Sequence, residues 1–170
     1  MAPSRSSISV SERPSGSPIA SASAPSSSPA APESRHVLFV CTTCNGTWEQ
    51  GKRVGTSGGE RLYDHLKEAV AASAIADRFE VQPVSCMSAC SHHCAVAFAG
   101  PGKANYLFGG VDASAGDALD AAIAAVLTCA QRYCDRPDGQ LPWAERPEPL
   151  KGGLLAKIPP LEPAAIARSV

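Results

Sequence analysis

Two short apolar runs, His36-Val37-Leu38-Phe39-Val40 and Phe79-Glu80-Val81-Gln82-Pro83-Val84, lead directly into cysteines, and a helical pattern lies between them. The first run is β-branched and continuously apolar, the pattern of a strand buried on both faces. The second alternates, as strands do. Between them Ser57 and Glu60 have the spacing of a capping box, which predicts a helix start. Leu62, Leu66, Ala69 and Val70 follow at helical spacing, and the pattern ends near Asp77. A strand–helix–strand crossover in one sheet is right-handed and leaves its strands parallel. Both strands then end at one rim, where open α/β sheets bind their ligands. Cys41 and Cys44 follow the first strand and Cys86 and Cys90 the second. The topology therefore predicts that two distant cysteine pairs meet.

The rest of the chain falls around this unit. Asn45 to Gly59 is polar and contains glycine, and reads as a loop. Cys94 to Gly110 reads as a hairpin, with Val96 and Phe98 alternating on one arm, Tyr106 and Phe108 on the other, and Pro101-Gly102 turning between them. Leu119, Ala122, Ile123, Val126, Leu127 and Ala130 predict a last helix, capped by Asp112 or Ser114. The order is β-α-β followed by β-β-α, an α/β domain over residues 36–134. Before it, residues 1–35 hold 13 Ser, 6 Pro and 6 Ala without a periodic apolar pattern. Such a composition buries too little apolar surface to offset chain entropy, and reads as a disordered tail. Residues 135–170 carry 7 Pro in 36 residues, which argues against regular structure there.

Charge excludes several partners. Residues 36–134 contain 7 Lys and Arg against 9 Asp and Glu, a balance of 7 − 9 = −2, and no basic stripe for nucleic acid. No apolar run approaches the ~20 residues that span a bilayer. The N-terminus carries Arg5 and Arg13 but no apolar signal core, so the expected location is the cytoplasm. No Ser-His-Asp set, phosphate-binding glycine pattern or carboxylate pair stands out, and the chain does not read as an enzyme.

Seven cysteines in a reducing compartment point to metal or redox chemistry rather than to disulfides, and the odd number agrees. Cys41-Thr42-Thr43-Cys44 alone fits a dithiol redox pair, which needs only two sulphurs. Adding Cys86-Met87-Ser88-Ala89-Cys90 gives four thiolates, which suit tetrahedral zinc or a 2Fe–2S cluster. Cys94, His92 and His93 extend the donor list, and imidazole also suits zinc, cobalt or nickel. The plainer reading makes both histidines solvated loop residues and Cys94 the inward-pointing start of a strand. Cys129 reads as core on the last helix, His65 as solvated, and Cys134 has no evident role. Trp48 and Trp143 read as loop residues within reach of covering a site, but a single aromatic in a loop decides nothing.

Three segments carry a resemblance: VLFVCTTCNGT, VSCMSACSHHCAVAFAGPGKANYLFG and LPWAERPEPLKGGLLAKIPP. They resemble a bacterial domain-of-unknown-function family of predicted metal-binding proteins, members of which often occur near cobalamin-biosynthesis genes. The resemblance covers about residues 36–162. That family is similar in turn to thioredoxin-like 2Fe–2S ferredoxins, whose second ligand pair is also C-x-x-x-C before a hairpin, as Cys86 and Cys90 are. It implies a thioredoxin-like β-α-β-β-β-α fold, a 2Fe–2S cluster on Cys41, Cys44, Cys86 and Cys90, and one-electron transfer to a redox partner. A zinc or cobalt module that is structural, or that hands its metal to a partner protein, is the alternative. The first pair departs from those ferredoxins, which space their first two ligands further apart than Cys41 and Cys44. The resemblance also runs through 135–162, which implies an ordered wrap there against the composition.

Overall fold

A computed structural model describes residues 35–160 of the chain. Of the tail read as disordered, residues 1–35, all but Arg35 lie outside the described residues, as do residues 161–170. The first strand, β1 (His36–Cys41), is followed by a ribbon of β2 (Thr47–Glu49) and β3 (Lys52–Val54), then by α1 (Gly58–Ala71) and β4 (Phe79–Val84). The hairpin β5 (Val96–Ala99) and β6 (Asn105–Phe108) leads to α2 (Asp117–Asp135), a short helix α3 (Glu148–Lys151) and β7 (Leu154–Ile158).

Five strands form one mixed sheet in the order β4-β1-β5-β6-β7. β1 and β4 are parallel neighbours, with Cys41 level with Val84. The parallel pairing expected from the sequence is present. β5 and β6 pair antiparallel on the other side of β1, with Phe98 opposite Tyr106. The β-α-β-β-β-α core is therefore an α/β fold, and its strand order is compatible with a thioredoxin-like sheet.

One sheet face carries the core. Leu38, Val40, Phe98, Tyr106 and Phe108 are shut off from solvent beneath Leu62 and Leu66 of α1 and Val126, Cys129 and Tyr133 of α2. Each such side chain contributes ~1.5–3 kcal/mol by leaving water. On the opposite face Val37 and Phe39 are only half-buried, so β1 is not covered equally on its two sides as its composition predicts.

Four local expectations are corrected. The Asn45–Gly59 segment is not all loop: it folds into the β2–β3 ribbon, turned by Gln50 and Gly51 at positive φ. α1 starts at the expected capping box, in which Ser57 and Glu60 bond each other's backbone N–H, but it ends at Ala71 and turns carry the chain to β4. α2 is not capped by Asp112 or Ser114: its N-cap is Gly116, which has no side chain to offer. Asp112 instead accepts the Ser114 N–H in a local turn. Finally, 135–160 is ordered. Leu141 and Leu150 join the core, and β7 extends the sheet alongside β6. Pro137 stands in a turn and Pro142, Pro147 and Pro149 at helix starts, where a missing N–H costs nothing.

Candidate metal centre

Cys41 is the last residue of β1 and Cys44 lies in the turn after it; they are 2% and 6% exposed. Four hydrogen bonds hold this turn against its neighbours. The Thr42 N–H donates to the Val84 carbonyl at the end of β4, and the Gly59 N–H donates to the Cys44 carbonyl. Ser57 and Arg53 donate from their side chains to the Thr42 carbonyl. The close approach of α1 requires glycine: a Cβ at Gly59 would overlap the Cys41 carbonyl oxygen, and one at Gly58 would lie 3.2 Å from the Cys94 sulphur.

The second cysteine loop lies on the first. The Cys41 thiol donates to the Ser85 carbonyl at 3.8 Å. Thr43 also donates its hydroxyl to Ser85. Ser85 directly precedes Cys86, so the backbone beside Cys86 lies against Cys41. The Cys86 and Cys90 side chains are themselves exposed, and the Cys86 sulphur accepts the Ser88 N–H at 3.3 Å.

Cys94 lies inside with the first pair. It is 1% exposed, and its sulphur is 4.0 Å from the Cys44 carbonyl. Backbone bonds in both directions with Val111 fix it. Its parity with Val96 and Phe98 carried the signal for this depth in the sequence. His92 and His93 are exposed: the His92 ring contacts the Ser91 hydroxyl at 3.0 Å, and the His93 ring faces the Cys90 carbonyl at 3.4 Å.

The three inner thiols differ electrostatically. Burial pushes the Cys41 thiol up, but hydrogen bonding with Cys44 and with the Met87 and Thr43 backbone outweighs it, and its pKa is lowered. Burial, reinforced by the hydrogen bond and charge at Cys41, pushes Cys44 up to about 12. Burial also raises Cys94, to about 11. A negative charge in this cluster therefore settles on Cys41.

The structure thus brings Cys41, Cys44 and Cys94 together and lays the Cys86–Cys90 loop against them, with Cys86, Cys90, His92 and His93 at the surface. Among the described residues no group of three or more His, Cys, Asp or Glu is arranged to hold a metal ion. The donor chemistry fits a thiophilic group, since every inner candidate is sulphur. Of the remaining cysteines, Cys129 is wholly buried in α2, and Cys134 lies half-buried with its sulphur 3.6 Å from His36 Nδ1 at the far end of the sheet. The residues missed in the sequence are backbone groups, those of Ser85 and Met87, together with Gly58 and Gly59; the Gly-Gly pair at a helix start was the available sign of a close approach.

Among the described residues no helix is long and apolar enough to cross a membrane. No curated protein and no solved structure matches the chain. The model of one family, described as protein of unknown function (DUF1636), matches residues 38–160, which takes in most of β1, the other four strands of the main sheet and all seven cysteines. The chain belongs to that family.

Proposed function

We propose that the chain is a cysteine-based metal-binding protein that holds a 2Fe–2S cluster on Cys41, Cys44, Cys86 and Cys90 and serves as a cytoplasmic electron carrier. The observation that supports this reading is the contact of the Ser85 carbonyl, in the residue just before Cys86, with the Cys41 sulphur at 3.8 Å. A 2Fe–2S cluster on four cysteines supplies one-electron chemistry, at around −400 mV in plant-type ferredoxins. The protein's own part is to hold negative charge at Cys41, through hydrogen bonding with the Met87 and Thr43 backbone, and to exclude water from the inner sulphurs. Completing the ligand set requires the Ser85–Cys90 loop to leave the described conformation, in which Cys86 and Cys90 are exposed. A redox partner protein would receive the electron, and the resemblance to a family found near cobalamin genes suggests a cobalt corrinoid downstream.

The second reading is a zinc or cobalt module, structural or delivering its metal to a partner. Burial of Cys94 against Cys44 favours it, because three sulphurs are then already gathered in the interior. Zinc has no redox couple, so spectroscopy separates the two. Protein purified without oxygen and titrated with dithionite is expected to lose its visible absorption and to gain a one-electron paramagnetic signal. Stoichiometric zinc with a silent spectrum would remove the electron carrier and leave the metal module.

A further inference from the structure

β4 is an edge of the main sheet, and among the described residues no strand pairs with its outer side. Its inner side is spent on β1: the His36 N–H donates to the Arg78 carbonyl and the Thr42 N–H to the Val84 carbonyl. Backbone groups alternate in direction along a strand, so Glu80, Gln82 and Val84 face β1 while Phe79, Val81 and Pro83 face outward. The Phe79 N–H is taken by the Ile75 carbonyl, and Pro83 has none. The outward row therefore offers the Val81 N–H and the carbonyls of Phe79, Val81 and Pro83. Beside it a groove of about 430 Å³ runs between β4 and α1. Val70, Phe79 and Val81 line it with apolar surface, Tyr63 adds a ring, and Arg35 and Lys67 add two exposed cations. We propose that this groove takes up the C-terminal end of another polypeptide as an added antiparallel strand.

The direction and chemistry of the occupant follow from the row of backbone groups. β4 runs from Phe79 toward the cysteine rim, so an antiparallel strand runs back toward Phe79. Its residue opposite Val81 exchanges both backbone bonds with Val81, and the residues two before and two after it donate to the Pro83 and Phe79 carbonyls. Directly opposed side chains share a face, so the residue at Val81 turns toward α1 and suits the groove when it is apolar. Opposite Phe79 the incoming carbonyl finds no donor, because that N–H is spent on Ile75. A chain that ends at this position places a carboxylate there instead. The cations stand at the same end. Arg35 directly precedes His36, which is level with Phe79, and Lys67 lies one turn before the end of α1, with its ammonium 5.9 Å from the centroid of the Tyr63 ring. Glu80 also borders the groove, but it alternates to the other sheet face and accepts the Gln82 amide at 2.8 Å.

The test uses the full-length chain and a fluorescent hexapeptide that alternates serine and valine and ends in valine. Anisotropy should show saturable binding of the free acid. The C-terminal amide of the same peptide should bind about tenfold less tightly, as a lost charge-assisted contact requires. Methylating the backbone nitrogen of the valine two places from the end removes its donor to the Val81 carbonyl and should abolish binding. A chain carrying both Arg35→Gln and Lys67→Gln should bind acid and amide alike. Absence of saturable binding at millimolar peptide overturns the proposal, as does equal binding of the acid, amide and methylated forms by the parent chain. An acid preference that survives in the doubly substituted chain overturns it as well. None of these readouts depends on the metal content of the cysteine centre.

Discussion

Lys103 and Tyr133 show how individual polar groups are handled in this core. Lys103 is 7% exposed, and its ammonium donates to the Tyr133 and Cys134 carbonyls at 2.8 and 3.0 Å, which satisfies the C-terminal end of α2. The Tyr133 hydroxyl, by contrast, is buried without a hydrogen-bond partner among the described residues. A buried orphan costs ~1–3 kcal/mol. Tyr133→Phe is therefore expected to raise stability by about 1 kcal/mol in denaturant unfolding, and a loss of stability would show that the hydroxyl is bonded. The cysteines teach a related lesson about reading residues. Their spacing in the sequence located both loops, but spacing carries no information about depth. Cys86 and Cys90 belong to a loop that turns Met87 and Ala89 toward the core and leaves both cysteines exposed, while Cys94 continues the inward alternation of Val96 and Phe98.

Elements with strong periodicity were legible, and those made by long-range packing were not. β1, β4, the β5–β6 hairpin and the Ser57–Glu60 box follow from local patterns that the tertiary structure leaves in place. The box also links α1 to the site, since Ser57 both caps the helix and donates to the Thr42 carbonyl. Ser57→Ala should cost ~1–2 kcal/mol, the range of a lost cap, and weaken metal retention alongside; a change in stability without any change in metal would detach the helix from the centre. The C-terminal wrap was hidden because proline content speaks only of local backbone. Its order comes from Leu141 and Leu150 entering the core, from the Leu141 N–H bonding the Tyr106 hydroxyl at 3.0 Å, and from β7 pairing with β6. Leu150→Ala is expected to cost ~2–5 kcal/mol, and truncation after Gly152 to lower the melting temperature by removing β7. An unchanged melting temperature in both would show that the wrap does not support the core.

At the scale of the whole molecule, the fold does one thing that neither cysteine motif does alone. The parallel pairing of β1 and β4 delivers two loops 41 residues apart, counted from Cys44 to Cys86 as 86 − 44 − 1, to a single rim. α1 closes that rim from below through Gly58 and Gly59, and the β5–β6 hairpin brings Cys94 in beside it. A domain of this size has a modest core, so a bound metal would add to its stability by binding only the folded state. The central claim is that both cysteine loops serve one centre, and elemental analysis of protein purified without oxygen tests it most directly. Parent protein and Cys129→Ala are expected to carry metal in stoichiometric amount, with Cys41→Ala and Cys86→Ala both losing it. A Cys86→Ala chain that keeps its full complement with an unchanged spectrum would contradict the shared centre.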